Sequence, residues 1–332
     1  MPLPDIDLVY TFVDGADPVH AAKLAATRRK LCAGGGTAIP EVRPTWYRHV
    51  SEITYSVRSA IKYLPWLRTI FIVTDRQIPP VDAALIASGK VRIIDHSEII
   101  PEHCLPVFDA TIIESFLHRI PGLSGYFLYN NDDMLFGGPM GPEEFIASSG
   151  GELRLRLMTQ PGILRAGIAL ASKLTPSFMP RANTFTSGIA NACRILRQRP
   201  GLAWSEIVYP RHFTHVYRTA TAHRIEEELG DLLEEARGQH LRSHRQIAWI
   251  ALAYSLEAHW HGAERCARPR ADRLFLDFER HRSAGETARA WRRLELSRAR
   301  FLCFNNIPVG QADRLEQIMR RRGLGDPLAS GT

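Results

Sequence analysis

Two rhythms of apolar and polar residues divide the chain. Ile6 to Val13 is a short apolar run that ends in the turn-forming cluster Asp14-Gly15-Ala16-Asp17-Pro18, so it reads as a strand entering a turn. Residues 20–31 read as a helix, and Gly34 to Gly36 marks a flexible loop. From Ser51 to Tyr63 the apolar positions Ile53, Val57, Ala60 and Ile61 recur at helical spacing, and Pro65 punctuates the end. Thr69 to Thr74 and Val91 to Ile94 read as buried strands. Asp109 to Arg119 reads as a helix before Pro121-Gly122. This alternation predicts an α/β fold with a mixed sheet flanked by helices.

The second half is less regular. Residues 141–200 read as an insertion or connection that contains a helix from Gly188 to Arg197 and stops before Pro200. Arg224 to Arg237 and Gln246 to His259 read as helices, residues 272–299 as a charged helical stretch, and Phe301 to Phe304 as a strand returning to the sheet. The expected organisation is an α/β part over 1–145, a connecting segment over 146–205 and a mostly helical part over 206–332.

The stretch Tyr126 to Phe136, YFLYNNDDMLF, organises the rest. Its apolar, aromatic start suits a buried strand. Four polar residues in succession, Asn130, Asn131, Asp132 and Asp133, place the strand's end near Tyr129. Ligands of open α/β sheets gather at the carboxyl ends of strands. Adjacent acids there suit a divalent cation held through oxygen beside substrate phosphates. The same residues equally make an ordinary turn.

Charge sharpens this picture. Residues 1–150 carry 13 basic and 17 acidic side chains, a balance of −4, and the remaining residues carry 29 and 18, a balance of +11. A basic second half fits a phosphate-bearing, polyanionic or membrane-surface partner, or simply solvated helix faces. Five scattered cysteines, none in a CxxC pair, fit neither a disulfide framework nor a cysteine zinc site. The first residues lack the charged-then-apolar pattern of a signal peptide, and no apolar run is long enough to span a bilayer. A cytoplasmic location is expected, with membrane association only peripheral, at the inner face of the cell membrane.

Several constellations could carry chemistry. Asp14 and Asp17 follow the first strand, where acids hold a ribose hydroxyl, approach a metal or cap the next helix. There is no GxGxxG and no P-loop. Glu114 and His118 stand four apart and would share a helix face, so that the carboxylate would orient the imidazole. His212 and His215 lie among Arg211, Arg218 and Arg224, with Arg242 and Arg245 following. Histidines near arginines suit an acid/base group beside a phosphoryl clamp, and equally a basic surface.

At these residues the chain resembles the Stealth family of sugar-1-phosphate transferases, which act in bacterial capsule synthesis and include the animal lysosomal-enzyme N-acetylglucosamine-1-phosphotransferase. The similar blocks are Asp5 to Pro18, Tyr55 to Pro79 continuing through Leu105 to Gly137, His212 to Tyr254 and Phe301 to Asn306, in the family's order. The chain departs from the family at Asn306, where an aspartate is usual after Asn305, at Asp109 and Thr111, where asparagine is common, and at Thr214, where proline is usual.

The resemblance implies a GT-A-like or Rossmann-like fold whose helical C-terminal portion completes the site. It implies transfer of a hexose-1-phosphate from a UDP-sugar to a saccharide or polysaccharide hydroxyl, with UMP leaving. His215 would then be the general base, with His212 as second choice, and Arg242 would stabilise the transferring phosphoryl group. Asp132 and Asp133 would hold Mg2+ or Mn2+. Asp14, Gly15, Asp17, Arg58 and Asn131 would line the nucleotide-sugar pocket, and His118, backed by Glu114, would be a second acid/base group or a scaffold. Nucleic acid is not an expected partner. The alternatives are a GT-A-like glycosyltransferase releasing UDP and a non-catalytic saccharide- or nucleotide-sugar-binding subunit.

Overall fold

The computed structural model describes residues 4–33, 50–147, 151–157, 184–198, 207–266, 270–280 and 283–325. Its strands are β1 (Ile6–Thr11), β2 (Ile70–Thr74), β3 (Val91–Asp95), β4 (Tyr126–Asn131), β5 (Met134–Phe136), β6 (Leu153–Arg156), β7 (His215–Arg218), β8 (Ala263–Cys266), β9 (Arg273–Asp277) and β10 (Phe301–Asn305). The helices are α1 (Pro18–Ala33), α2 (Glu52–Tyr63), α3 (Ala83–Ala87), α4 (His96–Ile99), α5 (Ala110–Glu114), α6 (Thr184–Arg197), α7 (Thr219–Arg237), α8 (Trp249–His261), α9 (Ala284–Leu296) and α10 (Ala312–Arg321).

The main sheet has five strands in the order β3-β2-β1-β4-β7. The first four run parallel, and β7 runs antiparallel to β4. Every residue of β2 is buried, as befits a parallel strand covered on both faces. A second sheet, β5-β10-β9, pairs β10 antiparallel to β5 and parallel to β9. Its own core gathers Trp291, Leu294, Phe304, Leu315 and Met319. The turn between β4 and β5 carries the chain from one sheet to the other, so Asp132 and Asp133 sit at the junction.

This is the expected mixed α/β architecture, with three local differences. Arg273–Asp277 is a strand, not part of a helix, because it alternates buried Leu274 and Leu276 with less buried neighbours against β10. β10 joins the small sheet instead of returning to the main one. The expected helix from Asp109 to Arg119 breaks into α5 and a single 3₁₀ turn at Leu117–Arg119. β7 belongs to the main sheet, and one cluster of buried residues runs from Ile6 to Cys303. Residues 158–183, within the expected connecting segment, lie outside the described residues. No helix among the described residues is long and apolar enough to cross a membrane.

Candidate active site

In the order β3-β2-β1-β4, the chain leaves β1 toward β2 on one side while β4 lies on the other. The carboxyl ends of β1 and β4 therefore flank the point where an open α/β sheet binds its ligands. Thr11 and Asn131, the last residues of these strands, are register partners. The loops that follow carry Asp14, Gly15 and Asp17 on one side and Asp132 and Asp133 on the other. β7 is antiparallel, so its first residue, His215, pairs with Tyr129 near the end of β4. This brings the His212–His215 segment to the same edge.

Strand β4 continues two residues past Tyr129 because its amides find partners. Asn130 is fully buried and its side-chain nitrogen donates to the Met134 carbonyl at 3.2 Å, closing the turn. The Asp133 carbonyl accepts from the Phe304 amide at 3.2 Å, which ties the turn to β10. Burial, the charge of Asp133 and the charge of Glu52 raise the Asp132 pKa well above the carboxylate range. Burial, with Glu52 next, pushes Asp133 up to about 7. Glu52 itself is buried at the start of α2. Asp133 Oδ1 is buried with no hydrogen-bond partner, and no lysine or arginine among the described residues pairs with either aspartate. Crowded carboxylates without a cation are a donor set that fits a hard divalent ion.

His212 faces these acids across the crevice. A ring nitrogen of His212, a carboxylate oxygen of Asp133 and the sulfur of Cys303 lie within 4.8 Å of one another. The His212 ring rests edge-on against Phe275 of β9, at 5.8 Å between centroids. It is exposed to solvent, yet enough protein surrounds it that burial, and after it the charge of Arg242, lowers its pKa to about 4. Arg242 also stands 3.8 Å from Asp109 Oδ1. Asp109 is completely buried, caps α5 by accepting from the Thr111 amide at 3.0 Å, and has its pKa raised by burial. Glu114 is pushed up to about 8 by burial. The Tyr129 hydroxyl links this acid to the strand ends, lying 3.1 Å from Glu114 Oε1, 2.8 Å from Asn131 Oδ1 and 3.0 Å from Thr11 Oγ1.

Other expected residues take different places. His215 is only 2% exposed, with its ring stacked on Tyr129 and Nδ1 3.3 Å from the Tyr254 hydroxyl. Burial, then His212 nearby, pull its pKa down to about 3. It faces the core, whereas His212 faces the crevice. The break after α5 separates Glu114 from His118, so the expected pairing is not formed. His118 Nε2 lies 2.7 Å from Glu226 on α7, a carboxylate also held by Arg119 at 2.6 Å and Arg237 at 3.0 Å. His118 thus braces α7, away from the acids. Arg58 is also committed elsewhere. Its guanidinium pairs with Asp82 at 2.6 and 3.1 Å and donates to the carbonyls of Leu324 and Gly325. Asp14 and Asp17 make turn bonds, Asp14 accepting from the Ala16 amide and Asp17 from the His20 amide at the start of α1. With Gly15 they lie in the loop after β1, at the sheet end where Asn131 pairs with Thr11.

Glu52, Cys303 and Asp277 belong to this site and stand out nowhere in the sequence. Each is an isolated residue brought in by tertiary pairing. Asp277 ends β9 opposite Asn305 and accepts 2.9 Å from the side-chain nitrogen of Asn306, whose backbone is left-handed with φ 60°.

The chain is similar in sequence to known proteins. Residues 4–32 match Stealth protein conserved region 1, and residues 46–154 match Stealth protein conserved region 2. The chain is 37% identical over 147 residues to a capsular polysaccharide phosphotransferase of Actinobacillus pleuropneumoniae, covering 44% of this chain and 39% of that protein. It is 34% identical over 211 residues to an exopolysaccharide phosphotransferase of Mycobacterium tuberculosis, covering 64% and 35%. It is 32% identical over 260 residues to an exopolysaccharide phosphotransferase of Streptomyces coelicolor, covering 77% and 40%. The chain therefore spans well under half the length of these relatives. The two matched regions contain the strands β1 and β4 and the paired acids on which the crevice is built, and this chain belongs to the Stealth family.

Proposed function

We propose that the chain transfers a hexose-1-phosphate from a UDP-sugar to a saccharide hydroxyl in polysaccharide synthesis. The observation that carries this reading is the convergence of Asp133, next to Asp132, with His212 and the nearby Arg242 at the carboxyl ends of the strands. Relatives named capsular and exopolysaccharide phosphotransferases support it.

Each residue then has a task in phosphoryl transfer, which is mostly positioning and electrostatics. Asp132 and Asp133, beside Glu52, hold Mg2+ or Mn2+, an ion that neutralises the diphosphate when bound. His212 accepts the proton of the acceptor hydroxyl as that oxygen attacks the β-phosphorus. The bond from this phosphorus to the oxygen shared with the α-phosphate breaks, and UMP leaves with that oxygen. Arg242 faces the transferring phosphoryl oxygens, where a fork of donors matches the developing charge. Burial first, and the charge of Arg242 second, hold the His212 pKa low; a bound diphosphate offsets the second of these. Asp14, Gly15, Asp17 and Asn131 border the nucleotide end. His215 supports the ring-lined wall instead of meeting the acceptor.

The test is to incubate the chain with UDP-sugars, Mg2+ or Mn2+ and acceptor oligosaccharides and to identify the released nucleotide. UMP is the expected product. UDP would mark a glycosyltransferase, and binding without turnover a non-catalytic module.

A further inference from the structure

Asp133, His212 and Cys303 come from the β4–β5 turn, the loop before β7 and the middle of β10, yet their donor atoms lie within 4.8 Å of one another. Only the carboxylate suits a hard ion. Imidazole and thiol are donors that zinc takes readily and magnesium does not. Asp133 Oδ1 is buried and lacks a hydrogen-bond partner, while the exposed His212 ring leaves a route in from solvent. Cys303 Sγ is held toward the same place by hydrogen bonding, 3.2 Å from Asn305 Oδ1. A second cluster of this kind, His118, His223 and Glu226, offers no thiol and is already occupied by ion pairs. Its carboxylate is already paired with Arg119 and Arg237, whose charges oppose a cation.

We propose that Asp133, His212 and Cys303 form a thiophilic cation site that takes Zn2+ and, by occupying Asp133 and His212, shuts the crevice to the hard cation and the acceptor. As the sulfur binds, the Cys303 thiol releases its proton to solvent. Its thiolate and the Asp133 carboxylate then balance the two charges of the ion, and neutral His212 is the third ligand. A fourth position is left for water. Donors around a tetrahedral zinc stand roughly 3–4 Å apart, so modest side-chain rotations complete the set. The inhibition rests on the phosphotransferase reading. The binding does not.

The deciding probe is Co2+ added to the whole chain without magnesium, followed by absorption spectroscopy. The expected result is a thiolate-to-cobalt charge-transfer band with tetrahedral visible absorption, displaced by Zn2+ and weakening as pH falls, because the thiol must lose its proton. Cys303→Ser should abolish the band, and His212→Ala should weaken cobalt binding by at least about ten-fold, the low end of what losing even an outer partner of a metal ligand costs. Circular dichroism on both variants checks that they are folded. A folded wild type with no such band overturns the proposal, as does a band that persists in Cys303→Ser, since another thiol, exposed Cys32 or partly exposed Cys266, would then be its source. Where turnover is observed, Zn2+ should suppress it in the presence of magnesium, and Cys303→Ser should need at least about ten-fold more Zn2+ for half suppression. Equal sensitivity of the two proteins overturns the inhibitory role. Absent turnover in both, with the band intact, counts against the phosphotransferase reading and leaves the site standing.

Discussion

His212→Ala and His215→Ala should fail in different ways. The His212 ring is exposed and touches Phe275 edge-on, so its loss should change stability by no more than about 0.5 kcal/mol, as for other surface substitutions. Turnover should fall by about 10²–10⁴-fold, the range for one acid/base group, equivalent to roughly 3–5 kcal/mol of transition-state stabilisation. His215 presents the reverse. Its ring is 2% exposed and packed between Tyr129 and Tyr254, so deleting it leaves a cavity that costs about 2–4 kcal/mol. In a chain of this size that loss should lower Tm by about 3–8 °C. Its remaining turnover, measured well below Tm, should stay within about ten-fold of wild type, because the proposed mechanism gives the acceptor's proton to His212. The assays are nucleotide release and thermal unfolding on the same preparations. The reasoning is refuted if His212→Ala keeps full turnover, or if His215→Ala loses a hundred-fold in turnover with Tm unchanged.

Asp133→Asn should weaken divalent-cation binding and remove most of the dependence of turnover on the ion, and should also raise Tm in chelator by relieving the crowding with Asp132 and Glu52; full wild-type activity in excess chelator would contradict this. Glu114→Gln isolates one buried acid. Its folded pKa of about 8 lies above the ordinary 4.5, so the stability of the wild type is intact below about pH 4.5 and is lost as pH rises toward 8. The variant should therefore gain on the wild type by roughly 1 kcal/mol per pH unit across that window, read from denaturant midpoints, and a pH-independent difference would show that Glu114 is ionised in the fold. Asn306→Asp places a carboxylate against Asp277, now 2.9 Å from the Asn306 nitrogen, and should destabilise the cation-free protein by about 1–2 kcal/mol while increasing the Tm gain on adding Mg2+. An unchanged gain would put Asn306 outside the ion's reach. Arg242→Ala should lower donor affinity by calorimetry together with turnover, and Arg242→Lys should restore only part, since an ammonium lacks the planar fork. Full recovery with lysine would mean that Arg242 acts as a point charge.

Much of the main sheet was legible because β1, β2, β3 and β4 are apolar runs cut off by polar turns, and their helices have a clear period. The acids after β4 were legible for the same reason, as polar residues directly following a buried strand. What escaped depends on distant pairing. β7 reads HVYR, four residues with no alternation long enough to recognise, and only its place beside β4 makes it a strand. Arg273–Asp277 sits within a charged stretch, so its alternation was hidden by its neighbours. Glu114 and His118 carry helical spacing, but that spacing means proximity only while the helix continues, and it ends at Glu114. His215 and His212 are equivalent in the sequence. The strand start between them turns one inward and leaves the other in the crevice.

The central claim is that the phosphorus attached to the sugar moves with it. A UDP-sugar radiolabelled at the β-phosphorus, incubated with the chain, Mg2+ or Mn2+ and an acceptor oligosaccharide, tests this directly. The predicted result is label in the saccharide product, resistant to phosphomonoesterase because it lies in a diester, with unlabelled UMP released. Label retained in UDP, with the sugar alone transferred, would contradict it.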